Sequence, residues 1–325
     1  MRAIIPAAGI GSRLRPHTHT APKALIHVAG KPILGHIIDE LLAHDLREIV
    51  FIVGFLGEMI VDYVNTRYPN IKAYFVEQKE LNGLGWAIYL AREYIEKEPI
   101  LIILGDTIFD ADLEQVIKSD YDYLGTKIVD DPRRFGIAET DGCFITKLVE
   151  KPDSPVSSRA LVGIYYLKST LLFRECLEEL INKNIKTRDE YQLTDALGLM
   201  IGRGCKMKTF TVDGWYDCGK KETLLETNRF LLSQIKTSRQ YNNVIIIPPV
   251  YIADSATIKN SVIGPYVSVA DSAIVENSVI RDSIISSGAD VKDCLLEASL
   301  IGNHSSVIGT YNRLNLGDSS EISLY

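Results

Sequence analysis

Nowhere in the chain do two cysteines stand at C-x-x-C spacing. The five present, Cys143, Cys176, Cys205, Cys218 and Cys294, are scattered at irregular intervals. An odd, irregular set argues against a disulfide framework, so a reducing, cytoplasmic setting is expected. Apolar runs are short as well, none approaching the roughly 20 residues of a membrane span. The first residues, MRAIIPAAG, break off too soon for a signal peptide. No membrane association is expected. Positive charge is also in deficit, with 35 Lys and Arg against 42 Asp and Glu and a net charge of -7. Such a chain has no global attraction for nucleic acid, and a phosphate ligand must be held by a local cluster of cations. Two familiar phosphate motifs are missing too. Leu14 stands where a dinucleotide fingerprint needs its third glycine, and no Gly-Lys-Ser/Thr completes a P-loop.

What the chain does have is the loop GIGSRLRPHTHTAPK, from Gly9 to Lys23. Gly9 and Gly11 lack a Cβ, so the backbone there can turn several N–H groups toward one anion. Arg13 offers a planar fork of donors and Lys23 a compact point charge. Pro16 and Pro22 stiffen the segment between them. The loop is suited to a polyphosphate. His17 and His19, two apart in the same loop with no acid or cysteine close by, read as solvated residues and not as metal ligands.

Organisation changes once, near residue 240. Before it, short apolar runs (AIIPAA, EIVFIVG, ILIILGD) alternate with helical spacing such as Ile33, Leu34, Ile37, Ile38, Leu41 and Leu42. This predicts an α/β fold, a mostly parallel, Rossmann-like sheet with helices on both faces. Asp106 then stands at the carboxyl end of a buried strand, the edge where open α/β sheets bind ligands. After residue 240, Ile252, Ile258, Ile263, Val269, Val275, Ile280, Ile285, Val291, Leu296, Ile301 and Val307 recur at intervals of five or six. That is the hexapeptide rhythm of a parallel β-helix, here of about three turns. The expected division is a catalytic domain over 1–235 and a linker with a short β-helix over 236–325, the polar stretch Ser233 to Asn243 joining them. So short a coil has little room for an acyl-transfer cleft around His304. It suits a stacking or self-association surface, and a homo-oligomer is expected.

IPAAGIGSRLRPHT, APKALIHVAGKPIL, EQKELNGLGWAI, LGDTIF, DDPRRFGIAE, LVEKP, LVGIYYL and WYDCGKKETLLETNRFLL, with the repeats that follow, resemble the sugar-1-phosphate nucleotidyltransferases. Within that family the likeness is to the long form of glucose-1-phosphate thymidylyltransferase. The resemblance implies transfer of a nucleotidyl group from a nucleoside triphosphate to a sugar 1-phosphate with release of pyrophosphate, and a left hand for the β-helix. It implies Ala8, Gly9, Gly11, Ser12, Arg13, Gln78 and Gly83 for the nucleotide, and Gly136, Glu150, Lys151, Gly163 and Tyr165 for the sugar phosphate. Asp106 and Asp217 are implied as ligands of Mg²⁺, and with Arg13 and Lys23 they form the catalytic set. Taken alone, an Asp after a strand is a helix cap or turn residue and Glu-Lys-Pro a charged turn.

Gln78 falls at the family position that reads a pyrimidine; its amide suits thymine or uracil and, rotated, cytosine. dTTP or UTP with glucose 1-phosphate is the favoured pair. GTP with mannose 1-phosphate, or a non-catalytic subunit that binds sugar nucleotides, are the alternatives. Two departures from the family pattern bear on substrate contacts. Thr107 replaces the usual Asn, and RDEYQLTD, Arg188 to Asp195, replaces Gly-Glu-Leu-Glu-Ile-Thr-Asp. Cys218, beside Asp217, reads as a plain buried thiol in preference to a reactive one.

Overall fold

A computed structural model describes residues 1–235 and 241–309. The chain divides into two compact units, Met1–Thr227 and Asn228–Tyr325. The division falls within the helix Lys221–Ser233, ahead of the linker expected to begin at 236, whose residues 236–240 lie outside the described set.

In chain order the first unit runs β1 (Arg2–Pro6), β2 (His27–Val28), β3 (Lys31–Pro32), α1 (Ile33–Ala43), β4 (Glu48–Val53), α2 (Gly57–Arg67), β5 (Lys72–Glu77), α3 (Leu84–Leu90) and β6 (Ile100–Ile103). It continues with β7 (Thr107–Asp110), α4 (Leu113–Ile117), β8 (Asp122–Ile128), β9 (Gly136–Asp141), β10 (Phe144–Glu150), β11 (Arg159–Leu167), α5 (Thr170–Asn182), α6 (Leu193–Gly202), β12 (Met207–Thr211), β13 (Gly214–Asp217) and α7 (Lys221–Ser233). Nine strands form one sheet in the order β5, β4, β1, β6, β11, β8, β12, β10, β9. Strands β5, β4, β1 and β6 are parallel, as are β8 and β12. β11 runs antiparallel to both β6 and β8, and β10 antiparallel to β12 and β9. Only β11 and β10 run against the other strands, so the sheet is mostly parallel in strand direction, as expected, with antiparallel pairings wherever those two strands sit. An apolar run reports that a strand is covered on both faces, whichever way it points.

Ile100, Leu101, Ile102 and Ile103 are at most 1% exposed, as are Ile49, Val50, Phe51 and Ile52 of the neighbouring β4. Each such side chain contributes roughly 1.5–3 kcal/mol on burial. On one face of the sheet, Ile4, Val50, Ile52, Ile100 and Ile102 cluster with Ile88 of α3, Phe173 and Leu177 of α5, and Leu197 and Met200 of α6. The strand ends at Pro6, Glu77 and Ile103 lead straight into residues of the candidate site.

In the second unit, three sheets of four parallel strands begin at Val244–Ile246, Val250–Ile252 and Thr257–Lys259. Four coils replace the three expected, because Val244–Ile246 already opens a coil. All eleven apolar residues of the repeat series belong to the interior cluster or pack against it. The corners repeat as well: Asn260, Asn277 and Asp293 all have positive φ. Their side chains form a ladder, Asn260 Nδ2 donating to Asn277 Oδ1 (3.3 Å) and Asn277 Nδ2 to Asp293 Oδ1 (3.0 Å). Asn and Asp tolerate this left-handed conformation best among non-glycine residues. The ring of His304 lies directly over Gly288, leaving no space there for a Cβ.

Candidate active site

The glycine loop leaves β1 and folds over its own lysine. Gly11 has φ +67°, and a Cβ there would meet Lys23 Cβ and Thr18 Cγ2 at 3.0 Å. Thr18 Oγ1 donates to Gly11 O at 2.9 Å and secures the turn. Gly9 faces open space. Ser12 and Arg13 lie in a 3₁₀ turn, both exposed, while Lys23 opens another and is buried at 7% exposure. A lysine so buried is almost always paired. Lys23 Nζ makes an ion pair with Asp106 Oδ2 and lies 3.7 Å from Asp217 Oδ1.

Those two carboxylates are 111 residues apart in number (217 minus 106), and a small antiparallel ribbon unites them. β13 pairs with β7 so that Asp217 lies opposite Thr107, and Cys218 N donates to Asp106 O at 3.0 Å. Thr107, at the usual Asn position, gives Asp106 Oδ1 only a long hydrogen bond of 3.5 Å. Both carboxylates remain about one third exposed. Arg13 lies close by as well: an ideal Cβ on Gly219 would sit 2.8 Å from both Arg13 Nη2 and Asp217 Oδ1. Gly219 is thus the spacer that lets the arginine and the aspartate share one rim, a role no local pattern announces. If Arg13 and Asp217 take part in the chemistry, Gly219→Ala is expected to lower turnover by about 10²-fold, because displacing reacting groups by an ångström costs that much. The thermal midpoint should fall little, since both obstructed atoms end flexible side chains. Equal losses of turnover and melting temperature would refute this.

Beside the rim lies a cavity of about 320 Å³ lined by Ala8, Gly9, Lys23, Gln78, Leu81, Gly83, Asp106 and Glu190, among others. This is within the range of small-molecule sites. Gln78 is buried at 7% and its Nε2 donates to Glu80 O (3.0 Å), leaving the amide oxygen and a second N–H for a ligand. Gly83 caps α3 with φ +103° and ψ 171°.

A second cavity, about 190 Å³, is lined by Gly136, Glu150, Gly163 and Tyr165, all expected at the sugar. It also includes Arg134, Gln192, Thr194, Trp215 and Asp217, and it shares Leu84, Leu104 and Asp106 with the first cavity. Gly136 must be small: a Cβ would lie 2.9 Å from Glu150 Oε2 and Thr194 Oγ1. Thr194 Oγ1 donates to Glu150 Oε2 at 2.7 Å. Burial, and then the Glu150 charge, push the Tyr165 hydroxyl well above its usual range, so it stays a neutral donor. Burial also raises Asp195, one helix residue beyond Thr194, and the Glu150 charge adds to this against a hydrogen bond with Thr187.

Lys151 does not line this cavity. It stands at the cavity edge with φ +43°, its Nζ 3.3 Å from Glu150 Oε1. Arg188 Nη2 donates to Lys151 O at 2.8 Å. Sequence reading missed Arg134, Arg188, Gln192, Thr194 and Trp215 as site residues, although the RDEYQLTD departure pointed to the segment holding three of them. Cys218 is buried and its thiol is pushed up to about 12 by burial; it is an inert core group, as read. Burial lowers the pKa of His17.

The nucleotidyl transferase family pattern matches residues 2–234. Over 263 residues the chain is 40% identical to the bifunctional protein GlmU of Methanocaldococcus jannaschii, covering 79% of this chain and 61% of that one. It is 29% identical over 357 residues to a glucose-1-phosphate thymidylyltransferase of Streptomyces griseus, covering 98% of both. A UDP-glucose pyrophosphorylase solved in complex with UDP-glucose aligns at TM-score 0.61 and 25% identity, over 72% of this chain and 99% of that chain. The chain belongs to the nucleotidyl transferase family, among the sugar-1-phosphate nucleotidyltransferases. It spans about three fifths of the length of its bifunctional GlmU relatives.

Proposed function

We propose that the protein transfers a nucleotidyl group from dTTP or UTP to glucose 1-phosphate, releasing pyrophosphate. One observation carries the reading: two cavities, one bearing Gln78 and the glycine loop and the other Glu150 and Tyr165, meet at Asp106 beside Lys23. A nucleotide in the first and a sugar phosphate in the second would bring two phosphates together there. A sugar phosphate oxygen attacks the α-phosphorus, and the bond from that phosphorus to the oxygen bridging to the β-phosphate breaks. The phosphate monoester is already an anion at neutral pH, so no protein base or nucleophile is required. Positioning and charge neutralisation account for the rate.

Asp106 and Asp217 fit a hard divalent cation, being partly exposed carboxylates converging on one lysine. Among the described residues no three His, Cys, Asp or Glu gather as a metal site, so the rest of the shell would be phosphate oxygens and water, as suits Mg²⁺. Bound there, Mg²⁺ would reduce repulsion between the two phosphates. Lys23 holds the nucleotide phosphates, and Arg13, beside Gly219, neutralises the departing pyrophosphate. At an effective dielectric of about 20, each such contact at 4 Å is worth roughly 4 kcal/mol. Glu150 accepts from sugar hydroxyls while Thr194 fixes its second oxygen. The free oxygen and N–H of Gln78 match a pyrimidine edge, in keeping with the thymidylyl- and UDP-glucose-linked names of two relatives.

Pyrophosphate release with Mg²⁺ should be measured with dTTP, UTP, CTP, GTP and ATP against a panel of sugar 1-phosphates. Release confined to dTTP or UTP with glucose 1-phosphate is expected. Activity only with GTP and mannose 1-phosphate would move the assignment to a guanylyltransferase. Silence across the panel would indicate a non-catalytic sugar-nucleotide-binding subunit, a reading disfavoured by Arg13, Lys23, Asp106 and Asp217 standing around one rim.

Self-association is part of the proposal. Ile245, Val262, Val279 and Leu295 are register partners across four coils, and the end members are 62% and 79% exposed. The same sheet carries one outward ion pair, Arg281–Glu297, and the sheet beginning at Thr257–Lys259 carries two, Lys259–Glu276 and Asp290–Lys292. An aliphatic ladder beside charged faces suits burial against a second copy. Leu295→Lys should shift the sedimentation coefficient of the protein toward that of a monomer; an unchanged value would rule this surface out. The five free thiols suit a reducing cytoplasm, and no helix among the described residues is long and apolar enough to cross a membrane.

A further inference from the structure

The cavity assigned to the sugar phosphate has an unfavourable charge balance. Its lining includes three carboxylates, Asp106, Glu150 and Asp217, and a single cation, Arg134. A sugar 1-phosphate arrives as an anion, so the positive groups along this edge decide whether it can enter. Three lie there by register. Gly136 pairs with Glu150, Lys151 N donates to Phe135 O at 3.0 Å, and Arg188 reaches Lys151 O; Arg134 is the residue just before Phe135.

Two of these cations already have a carboxylate neighbour. Lys151 Nζ pairs with Glu150 Oε1 at 3.3 Å, and Arg188 pairs with Asp153 Oδ1 at 2.9 Å. The neighbouring Arg133, which does not line the cavity, is locked onto Asp131 by two hydrogen bonds of 2.7 and 2.9 Å. Arg134 makes no ion pair or hydrogen bond among the described residues. Its guanidinium lies 5.9 Å from the Phe135 ring centroid, and that ring meets Trp215 edge-on with centroids 4.9 Å apart. The aromatic pair supports the arginine without supplying a counter-charge.

We propose that Arg134 is a substrate-holding residue whose guanidinium binds the phosphate of the sugar 1-phosphate as a two-pronged donor. The inference rests on the assignment of this cavity to the sugar phosphate. Planar, paired N–H groups match phosphate oxygens geometrically, which a lysine cannot reproduce. The Arg134 clamp would supply the one positive charge in the cavity that no carboxylate already neutralises.

The test compares wild type, Arg134→Gln and Arg134→Lys as full-length proteins. Initial rates are measured against glucose 1-phosphate and nucleotide, and binding of glucose 1-phosphate and of glucose by calorimetry. Arg134→Gln is expected to raise KM and Kd for glucose 1-phosphate by about 10- to 100-fold, the effect of one charge-assisted hydrogen-bonded contact. The nucleotide KM and the weak binding of glucose should stay within about twofold. Arg134→Lys should recover part of the loss. Because Arg134 is exposed in a short turn, melting temperatures should coincide. KM and Kd for glucose 1-phosphate unchanged in Arg134→Gln would overturn the proposal, as would equal weakening of glucose and glucose 1-phosphate. Wild type that binds glucose 1-phosphate but releases no pyrophosphate would refute the proposed reaction alone, and the Kd comparison would still decide the role of Arg134.

Discussion

Asp217→Asn is expected to lower pyrophosphate release by about 10²- to 10³-fold while leaving the melting temperature nearly unchanged. The asparagine keeps the volume of the side chain and removes its charge. Asp217 is about one third exposed, and Lys23 keeps its ion pair with Asp106, so no buried charge is orphaned and the fold should hold. What disappears is one member of a preorganised charge set, and losses of this size follow removal of a single stabilising group at a developing charge. The Mg²⁺ concentration giving half-maximal rate should rise in parallel, because one of the two carboxylates proposed to hold the ion has become a neutral amide. A variant retaining more than about a third of wild-type activity, with the same Mg²⁺ dependence, would exclude Asp217 from the reaction centre.

Gly83→Ala should be the most damaging single-methyl change at the cavity proposed for the nucleotide. Its φ of +103° and ψ of 171° lie in a region that is essentially reserved for glycine. A Cβ would also stand 2.5 Å from Tyr191 O and 2.9 Å from Tyr191 N and Glu190 Cβ. Most of these atoms are backbone, held because Tyr191 N donates to Asn82 O (2.9 Å) and Gly85 N to Tyr191 O (2.7 Å). They cannot yield cheaply. Backbone strain of about 1–3 kcal/mol and overpacking of a similar size together predict a loss of roughly 3 kcal/mol. For a unit of this size that corresponds to about 6 °C or more in melting temperature. The KM for nucleotide should rise at the same time, since Gly83 and Glu190 both line the cavity. An unchanged melting temperature would contradict the close contact on which the argument rests.

These two positions differ in how they could be found. Asp217 could be singled out from WYDCG by family resemblance, but its convergence on Asp106 required the β7–β13 ribbon. Gly83 was visible as one of a pair of glycines, and a helix-opening turn would have explained it equally well. Its necessity comes from Tyr191, a residue over a hundred positions away whose carbonyl no local pattern places there. Arg134 and Arg133 are chemically identical neighbours, and only the structure shows that one is bound to Asp131 while the other faces the cavity.

By itself the sequence determined the α/β character of the first unit, the hexapeptide coil of the second, and the composition of the phosphate loop. Side-chain periodicity and the conformational freedom of glycine are local properties, written in consecutive residues. Tertiary structure alone decided the antiparallel insertion of β11, the fourth coil, the seat of Lys23 between two aspartates, and the spacer role of Gly219. It also decided that the two cavities share Asp106. Strand direction, charge pairing and the walls of a cavity arise where distant segments meet, and a short stretch of chain does not specify which partner it will face.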